Sequence, residues 1–170
     1  DKAMAEQSNI LDIVKAKLIQ AKTSTTSSDG RTAILKDIQK LLTQLDMIAT
    51  QTNYNGVTLL NNSSSTIAVS GALPLTFQVG ELSGNTITSA TAVSNSKVYG
   101  LSGVQQYTSG ATTFSATIAG GLMTTIDSAL TSLNTTRSNF GSVQNQLESA
   151  TRNMMTTHTN IKAAESVIRD

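Results

Sequence analysis

The sequence predicts a mainly α chain with a β-hairpin insert. It describes an elongated antiparallel helical bundle of two N-proximal helices and one long C-proximal helix, with short β-strands between. Three observations predict it. From Ile126 a stripe recurs in alternating steps of three and four residues, through Ala129, Leu133, Thr136, Phe140, Val143, Leu147, Ala150, Met154, Thr157, Ile161 and Ala164 to Ile168. That rhythm puts every member on one face of a helix and holds the face against other helices. Only 4% of residues are aromatic and none is Trp, which suits thin helix-on-helix packing better than a thick core. Between Val57 and Gly120 the helical period gives way to short β-branched runs separated by Gly, Ser, Asn and Pro74, the pattern of hairpin strands.

Residues 1–26 read as the first helix, with Met4, Leu11, Val14, Leu18 and Ala21 in the same rhythm and Gln7 as a polar interruption. A polar break from Ser24 to Gly30 supplies N-cap residues, whose side-chain oxygens accept from free amides of a new helix. The second helix covers 31–52, with Ile34, Ile38, Leu41, Leu45 and Ile48 on its apolar face. So short a break favours antiparallel neighbours or a sharp offset between the two helices. Asn55-Gly56 is a hairpin-turn signal. Over 57–120, hairpins and a variable insert are expected. Strands are expected at Val57–Leu60, Thr66–Val69, Leu75–Val79 and Asn85–Thr88, with shorter ones at Val98-Tyr99 and Thr112–Phe114.

Gly120-Gly121 opens the long helix, 121–170, and its stretch from Leu122 to Ile168 would span about 70 Å. This helix is rich in Thr, Ser and Asn, several of which cost about half a kcal/mol each relative to Ala. Burial of large seam side chains, at roughly 1.5–3 kcal/mol each, must therefore hold it. Those side chains are Ile126, Leu133, Phe140, Leu147, Met154, Ile161 and Ile168. The 170 residues read as one domain.

Charged residues make up 14% of the chain and the formal net charge is +1, which leaves no electrostatic footprint for nucleic acid or an anionic membrane. With no cysteine, disulfides and thiolate metal sites are excluded. No signal peptide and no membrane-spanning apolar run is visible. The one histidine, His158, has no Cys or second His nearby to complete a zinc site. Asp127 and Glu148 lie too far apart along one helix to act together, so no enzyme and no cofactor is expected. Polarity comes instead from Ser, Thr, Asn and Gln, with Ser plus Thr about a quarter of the chain, well above ordinary usage. Such groups can be buried against a neighbouring subunit at lower desolvation cost than charges. A head-to-tail contact that does not close builds a helical filament.

Several segments resemble one family. Asp1-Lys2-Ala3-Met4-Ala5-Glu6-Gln7 with Ile10-Leu11 looks like the end of the first long helix of bacterial flagellins, especially those of the Campylobacter and Helicobacter group. Gln51-Thr52-Asn53-Tyr54-Asn55-Gly56-Val57-Thr58-Leu59-Leu60 is similar to the segment that leaves the second helix and enters the first hairpin, and it is the most specific match. Phe77-Gln78-Val79-Gly80 resembles the hairpin motif that follows, and Arg137 with Phe140 to Leu147, then Asn153, Asn160, Ala164, Ser166 and Ile168 to Asp170, resembles the C-terminal helix. Residues 81–120 fall largely outside the resemblance, as a reduced variable insert or as more core hairpin.

The resemblance implies a secreted, self-assembling subunit of the extracellular filament used for motility. It further implies a core domain trimmed of its polymerising terminal segments, and hence a monomeric fragment. Expected partners are other flagellin subunits, with an export chaperone and a cap for the full-length protein, and no nucleic acid or membrane. Competing readings are a hook–filament junction protein and, from another class, a helical sensory or signalling module. The Ser-rich middle, including Ser63, Ser64, Ser65, Ser83, Ser89, Ser94, Ser96, Ser102 and Ser109, offers places for the O-linked sugars some related flagellins carry, or simply polar loops. Flagellins that activate the vertebrate innate receptor present an Arg, a Leu, a Gln and a Glu on their first two helices. The matching positions here are Ile13, Lys17, Gln20 and Asp37, so only Gln20 is retained and weak receptor engagement is implied.

Overall fold

The computed structural model describes residues 2–60, 74–89, 92–107 and 114–169. In chain order the elements are α1 (Lys2–Lys22), α2 (Ser28–Gln51), β1 (Asn53–Tyr54), β2 (Val57–Thr58), β3 (Thr76–Gln78), β4 (Thr86–Thr88), α3 (Ser102–Gln106) and α4 (Ala116–Arg169). They fall into two compact units, Asp1–Ala72 with Ala92–Thr136, and Leu73–Thr91 with Arg137–Asp170. The mainly α class with short strands between the second and the long helix is what the periodicity predicts. The expected strand Thr66–Val69, and Thr112-Thr113 of another, lie outside the described residues.

In the first unit α1 buries Met4, Gln7, Ile10, Leu11, Val14, Leu18 and Ala21. It ends at Lys22 rather than at residue 26, because its last carbonyls find partners outside the helix. The Arg31 guanidinium donates to the Ala21 carbonyl at 2.9 Å, and the Thr26 hydroxyl donates to the Gln20 carbonyl at 2.7 Å. The chain then extends at Ser27 (φ −65°, ψ 163°), whose hydroxyl accepts from the Gly30 amide at 3.1 Å. This N-cap starts α2 three residues earlier than the expected Arg31, and Asp29 in the first turn faces the positive end of the helix dipole.

The buried face of α2 is Ile34, Leu35, Ile38, Leu42, Leu45 and Ala49. The apolar pattern placed Leu41 and Ile48 on that face, yet both are only half-buried. A helix with apolar residues at both 41 and 42, and at 48 and 49, has two adjacent stripes, and packing against α1 selects between them.

α2 stops at Thr52, whose amide and hydroxyl both reach the Ile48 carbonyl, at 3.0 and 2.6 Å. Asn55 (φ 50°) and Gly56 (φ 80°) are consecutive left-handed residues, the two-residue turn that matches the natural twist of a hairpin. They pair Asn53 with Thr58 and Tyr54 with Val57. A Cβ at Gly56 would meet nothing within 4 Å, so Gly56→Ala costs only the left-handed backbone penalty, about 1–2 kcal/mol. The expected result is a lower urea midpoint with an unchanged slope, and an unchanged midpoint would refute the turn assignment.

After the hairpin, residues 92–107 return to the helices. Val98-Tyr99, expected as a strand, lies in a turn closed by Tyr99 N–H to Asn95 O at 3.2 Å and Leu101 N–H to Ser96 O at 2.8 Å. Helix α3 follows, held by Gln39 of α2, whose Nε2 donates to the Val104 carbonyl at 3.1 Å. Ser115 then caps α4, its hydroxyl accepting from the Ile118 amide at 3.2 Å. The long helix therefore begins at Ala116 and runs through Gly120-Gly121 rather than starting after it. Within this unit α4 lies antiparallel to α1. Lys15 Nζ reaches Asp127 at 2.6 Å, and one helical interval of seven residues away Lys22 covers Gly120, where an added Cβ would sit 3.6 Å from its side chain.

The second unit holds the hairpin β3–β4, with Phe77 opposite Ile87, and the distal part of α4. Gln78 Nε2 donates to the carbonyls of Gly80 and Leu82, both at 2.6 Å, and so closes the connecting loop. A Cβ on Gly80 would come within 2.5 Å of the Asn85 side chain, so this motif position has no room for any larger residue.

Candidate assembly surface

The stripe along α4 is not buried evenly. Ile126, Ala129 and Leu133 are fully buried in the first unit. Thr136, Phe140, Val143, Leu147 and Ala150 are half-buried. Met154, Ile161 and Ile168 are 43%, 56% and 86% exposed, and Thr157 and Ala164 are exposed with them. Within the given chain the stripe is covered only over its first part. The physical reason is supply: the buried members share their unit with α1 and α2, whereas the described residues grouped with the distal helix form only a two-stranded hairpin.

Six threonine hydroxyls of α4 are turned into the helix itself. Thr131, Thr135, Thr136, Thr151, Thr156 and Thr159 each donate to the carbonyl four residues back, at 2.8–3.1 Å. Their donor protons are used internally, so the outward surface presents methyl groups and oxygen lone pairs. A surface of that kind loses less on dehydration than one of lysines and glutamates. This gives the uncharged composition a structural basis that residue counting alone does not supply.

A buried polar cluster fastens residues 94–99 to the helices. Gln7 is fully buried; its Nε2 donates to the Leu45 carbonyl at 3.2 Å and the Ser94 carbonyl at 3.0 Å, and its Oε1 accepts from the Ser94 hydroxyl at 2.6 Å. Ser94 Oγ also lies 2.6 Å from the Tyr99 hydroxyl. Beside it, Asp46 accepts from the Ser96 amide at 2.7 Å and the Ser96 hydroxyl at 2.6 Å. Burial pushes the Tyr99 phenol up, and the Ser94 hydrogen bond opposes part of that shift. In the sequence Gln7 reads as a polar interruption of the stripe. The available signal was a lone uncharged polar residue at a core position of an otherwise apolar stripe, which requires buried partners.

The four positions aligned with the receptor face sit on α1 and α2. Ile13, Gln20 and Asp37 are exposed and Lys17 is half-buried. Two of them meet: Lys17 Nζ donates to Asp37 Oδ2 at 2.8 Å. That hydrogen bond, and next the charge of Lys17, hold the Asp37 carboxyl below its ordinary value of 3.8, against a smaller opposing effect of burial. A lowered folded value means that any stability from this contact is present above the ordinary value and lost as pH falls through the lowered one. Lys17→Met is expected to move the Asp37 midpoint up toward 3.8 in a carboxyl-carbon NMR titration. No movement would remove Lys17 as the cause.

Of the family motif, Tyr54, Asn55 and Gly56 are exposed, Leu59 is half-buried and Leu60 is buried. His158 is exposed on the distal helix. Among the described residues no group of His, Cys, Asp or Glu could hold a metal ion, and no helix is long and apolar enough to cross a membrane.

Residues 1–65 match the bacterial flagellin N-terminal helical region, and residues 123–170 match the bacterial flagellin C-terminal helical region. The chain belongs to the flagellin family. It is 31% identical over 180 residues to the flagellar filament 30.7 kDa core protein of Treponema maltophilum, covering 98% of this chain and 59% of that protein. It is 40% identical over 87 residues to flagellin B of Helicobacter pylori, covering 51% of this chain and 15% of that one. The crystal structure of Bacillus cereus flagellin superposes with a TM-score of 0.71 at 26% identity, over 96% of this chain and 86% of that chain. The chain thus spans about three-fifths of the Treponema protein and a small part of the Helicobacter one. In this flagellin the two matched regions take in α1, α2, the β1–β2 hairpin and most of α4. The residues between them include the 94–99 segment that Gln7 and Asp46 hold.

Proposed function

We propose that this chain is the core domain of a structural subunit of the bacterial flagellar filament, exported from the cell and polymerised for motility. The observation that carries the reading is the pairing of both terminal helical regions of the flagellins with a long helix whose distal stripe stands open. Met154, Ile161 and Ile168 form the assembly-competent part of the surface, and the neutral hydroxyl-bearing faces accept neighbouring subunits. Other flagellin subunits are its partners, with an export chaperone and a cap acting on the full-length protein.

Immunogold electron microscopy of the source cells tests this. Antibody raised against these residues should decorate filaments along their length. Label confined to a band where hook meets filament assigns the chain to the junction instead, and unlabelled filaments overturn both readings.

Weak engagement of the vertebrate innate receptor forms part of the proposal. Ile13 and Lys17 stand where activating flagellins carry other anchors, and Asp37 is already occupied by Lys17 at 2.8 Å. Hot-spot positions concentrate binding energy, so losing two anchors costs most of it. Full-length protein should leave receptor-bearing reporter cells unstimulated at nanomolar concentration, and a full response there removes this part.

A further inference from the structure

We infer that Asn55 is a site of spontaneous covalent modification, where the Gly56 amide closes on the Asn55 side chain and the carboxamide becomes a carboxylate. The step needs a carboxamide free to turn, a following backbone nitrogen that is not already bonded, and open space around that nitrogen. Asn55 is exposed at the tip of the β1–β2 hairpin. Among the described residues, neither its side chain nor the Gly56 amide has a hydrogen-bond partner. A Cβ placed at Gly56 would meet nothing within 4 Å, so the approach is open. Asn55 also holds φ 50°, a left-handed conformation that costs energy in most residues with a Cβ. Two residue pairs, Asn53 with Thr58 and Tyr54 with Val57, and the bond from the Leu59 amide to the Thr52 carbonyl at 3.0 Å hold it there. Rotation toward ring closure therefore opposes little structure.

Water is the only co-reactant. The Gly56 nitrogen gives its proton to solvent base and attacks Cγ of Asn55; the bond from Cγ to Nδ2 breaks, ammonia leaves, and a succinimide ring remains. Water adding at Cγ reopens the ring to Asp on the normal backbone. Water adding at the α-carbonyl gives isoaspartate, which routes the backbone through the side chain and lengthens the turn by a methylene. Either product carries a new negative charge, taking the formal net charge from +1 to zero. Residue order alone would nominate Asn95-Ser96 and Asn85-Thr86 as well, but folding occupies their groups. The Asn95 Oδ1 accepts from the Val98 amide at 2.9 Å, and the Ser96 amide donates to Asp46 at 2.7 Å. The Thr86 amide donates to the Gly84 carbonyl at 3.0 Å. The asparagines of α1 and α4 precede amides used in the helical ladder.

Peptide mapping by mass spectrometry tests the inference, on the 170-residue chain held in mildly alkaline heavy-oxygen water, once folded and once in denaturant. The peptide holding Asn55 should take up the heavy oxygen and resolve into aspartyl and isoaspartyl isomers. Because an Asn before Gly reacts faster than one before Ser in any unfolded chain, each site is compared with itself. Folding should slow Asn95 by about tenfold or more, since two hydrogen bonds must first open. It should slow Asn55 by no more than about threefold. Gly56→Ala should slow the reaction at Asn55 in both states, because the added Cβ crowds the attacking nitrogen. Folding that slows Asn55 as much as Asn95 overturns the inference, as does an Asn55 peptide that stays unlabelled in the folded chain while the denatured one reacts. Labelled Asp without isoaspartate overturns the ring-closure route, since direct hydrolysis of the side chain leaves the backbone as it was.

Discussion

Ile126→Ala is expected to lower the stability of the folded chain by about 2–5 kcal/mol, while Ile161→Ala, the same substitution in the same stripe, stays within about 0.5 kcal/mol. Both residues occupy the large register of one uninterrupted helix, Ala116–Arg169. The difference lies in their surroundings. Ile126 has no accessible surface, so removing its outer carbons leaves a cavity inside the first unit, whereas Ile161 is 56% exposed and leaves only water where the side chain stood. Urea unfolding at low micromolar concentration, where copies remain apart, measures both. Comparable losses at the two positions would show that the distal stripe is covered within the single chain.

The second large effect is expected at the polar cluster. Gln7→Ala removes the donor to two carbonyls and the acceptor of the Ser94 hydroxyl, and each buried group left unpaired costs about 1–3 kcal/mol. Water entering the gap offsets some of this, so a net loss of about 3 kcal/mol is expected. Ser94→Ala alone should cost less, because it leaves both carbonyls with the Gln7 amide. Combined, the two substitutions should fall short of their sum by about 1–3 kcal/mol, the signature of groups sharing one network. Strict additivity would mean that Gln7 acts through packing alone. Hydrogen exchange adds a local readout, since the Ser94 amide, bonded to the Leu60 carbonyl at 2.9 Å, should lose protection first.

Elements whose signals are local were legible in the sequence. The three-and-four rhythm identifies α1, α2 and α4, because side chains repeating at that period share a face whatever lies opposite. Asn55-Gly56 identifies its hairpin, because two consecutive left-handed residues are costly for almost any other pair. Boundaries were less legible: capped by Ser27 and Ser115, the helices start three and five residues ahead of the expected 31 and 121, and nothing within either helix distinguishes those serines from their polar neighbours. The Val98-Tyr99 turn was read as a strand because β-branched and aromatic residues favour extended backbone. There, the grip of Asp46 on Ser96 and the burial of Tyr99 override that preference.

The assembly surface divides along the same line. Its periodicity, its alternation of large and small side chains and its lack of charge are properties of the sequence by itself, since a helix converts residue spacing directly into a face. Only the tertiary structure decided where that face is already covered, at Ile126 and Leu133, and where it stands open, at Met154, Ile161 and Ile168. It likewise decided that Gln7 is a buried anchor and that Lys17 occupies Asp37. Spacing repeats whether or not a neighbour is present, whereas burial requires another part of the chain to arrive, and that arrival is set by contacts as distant in sequence as Gln7 and Ser94.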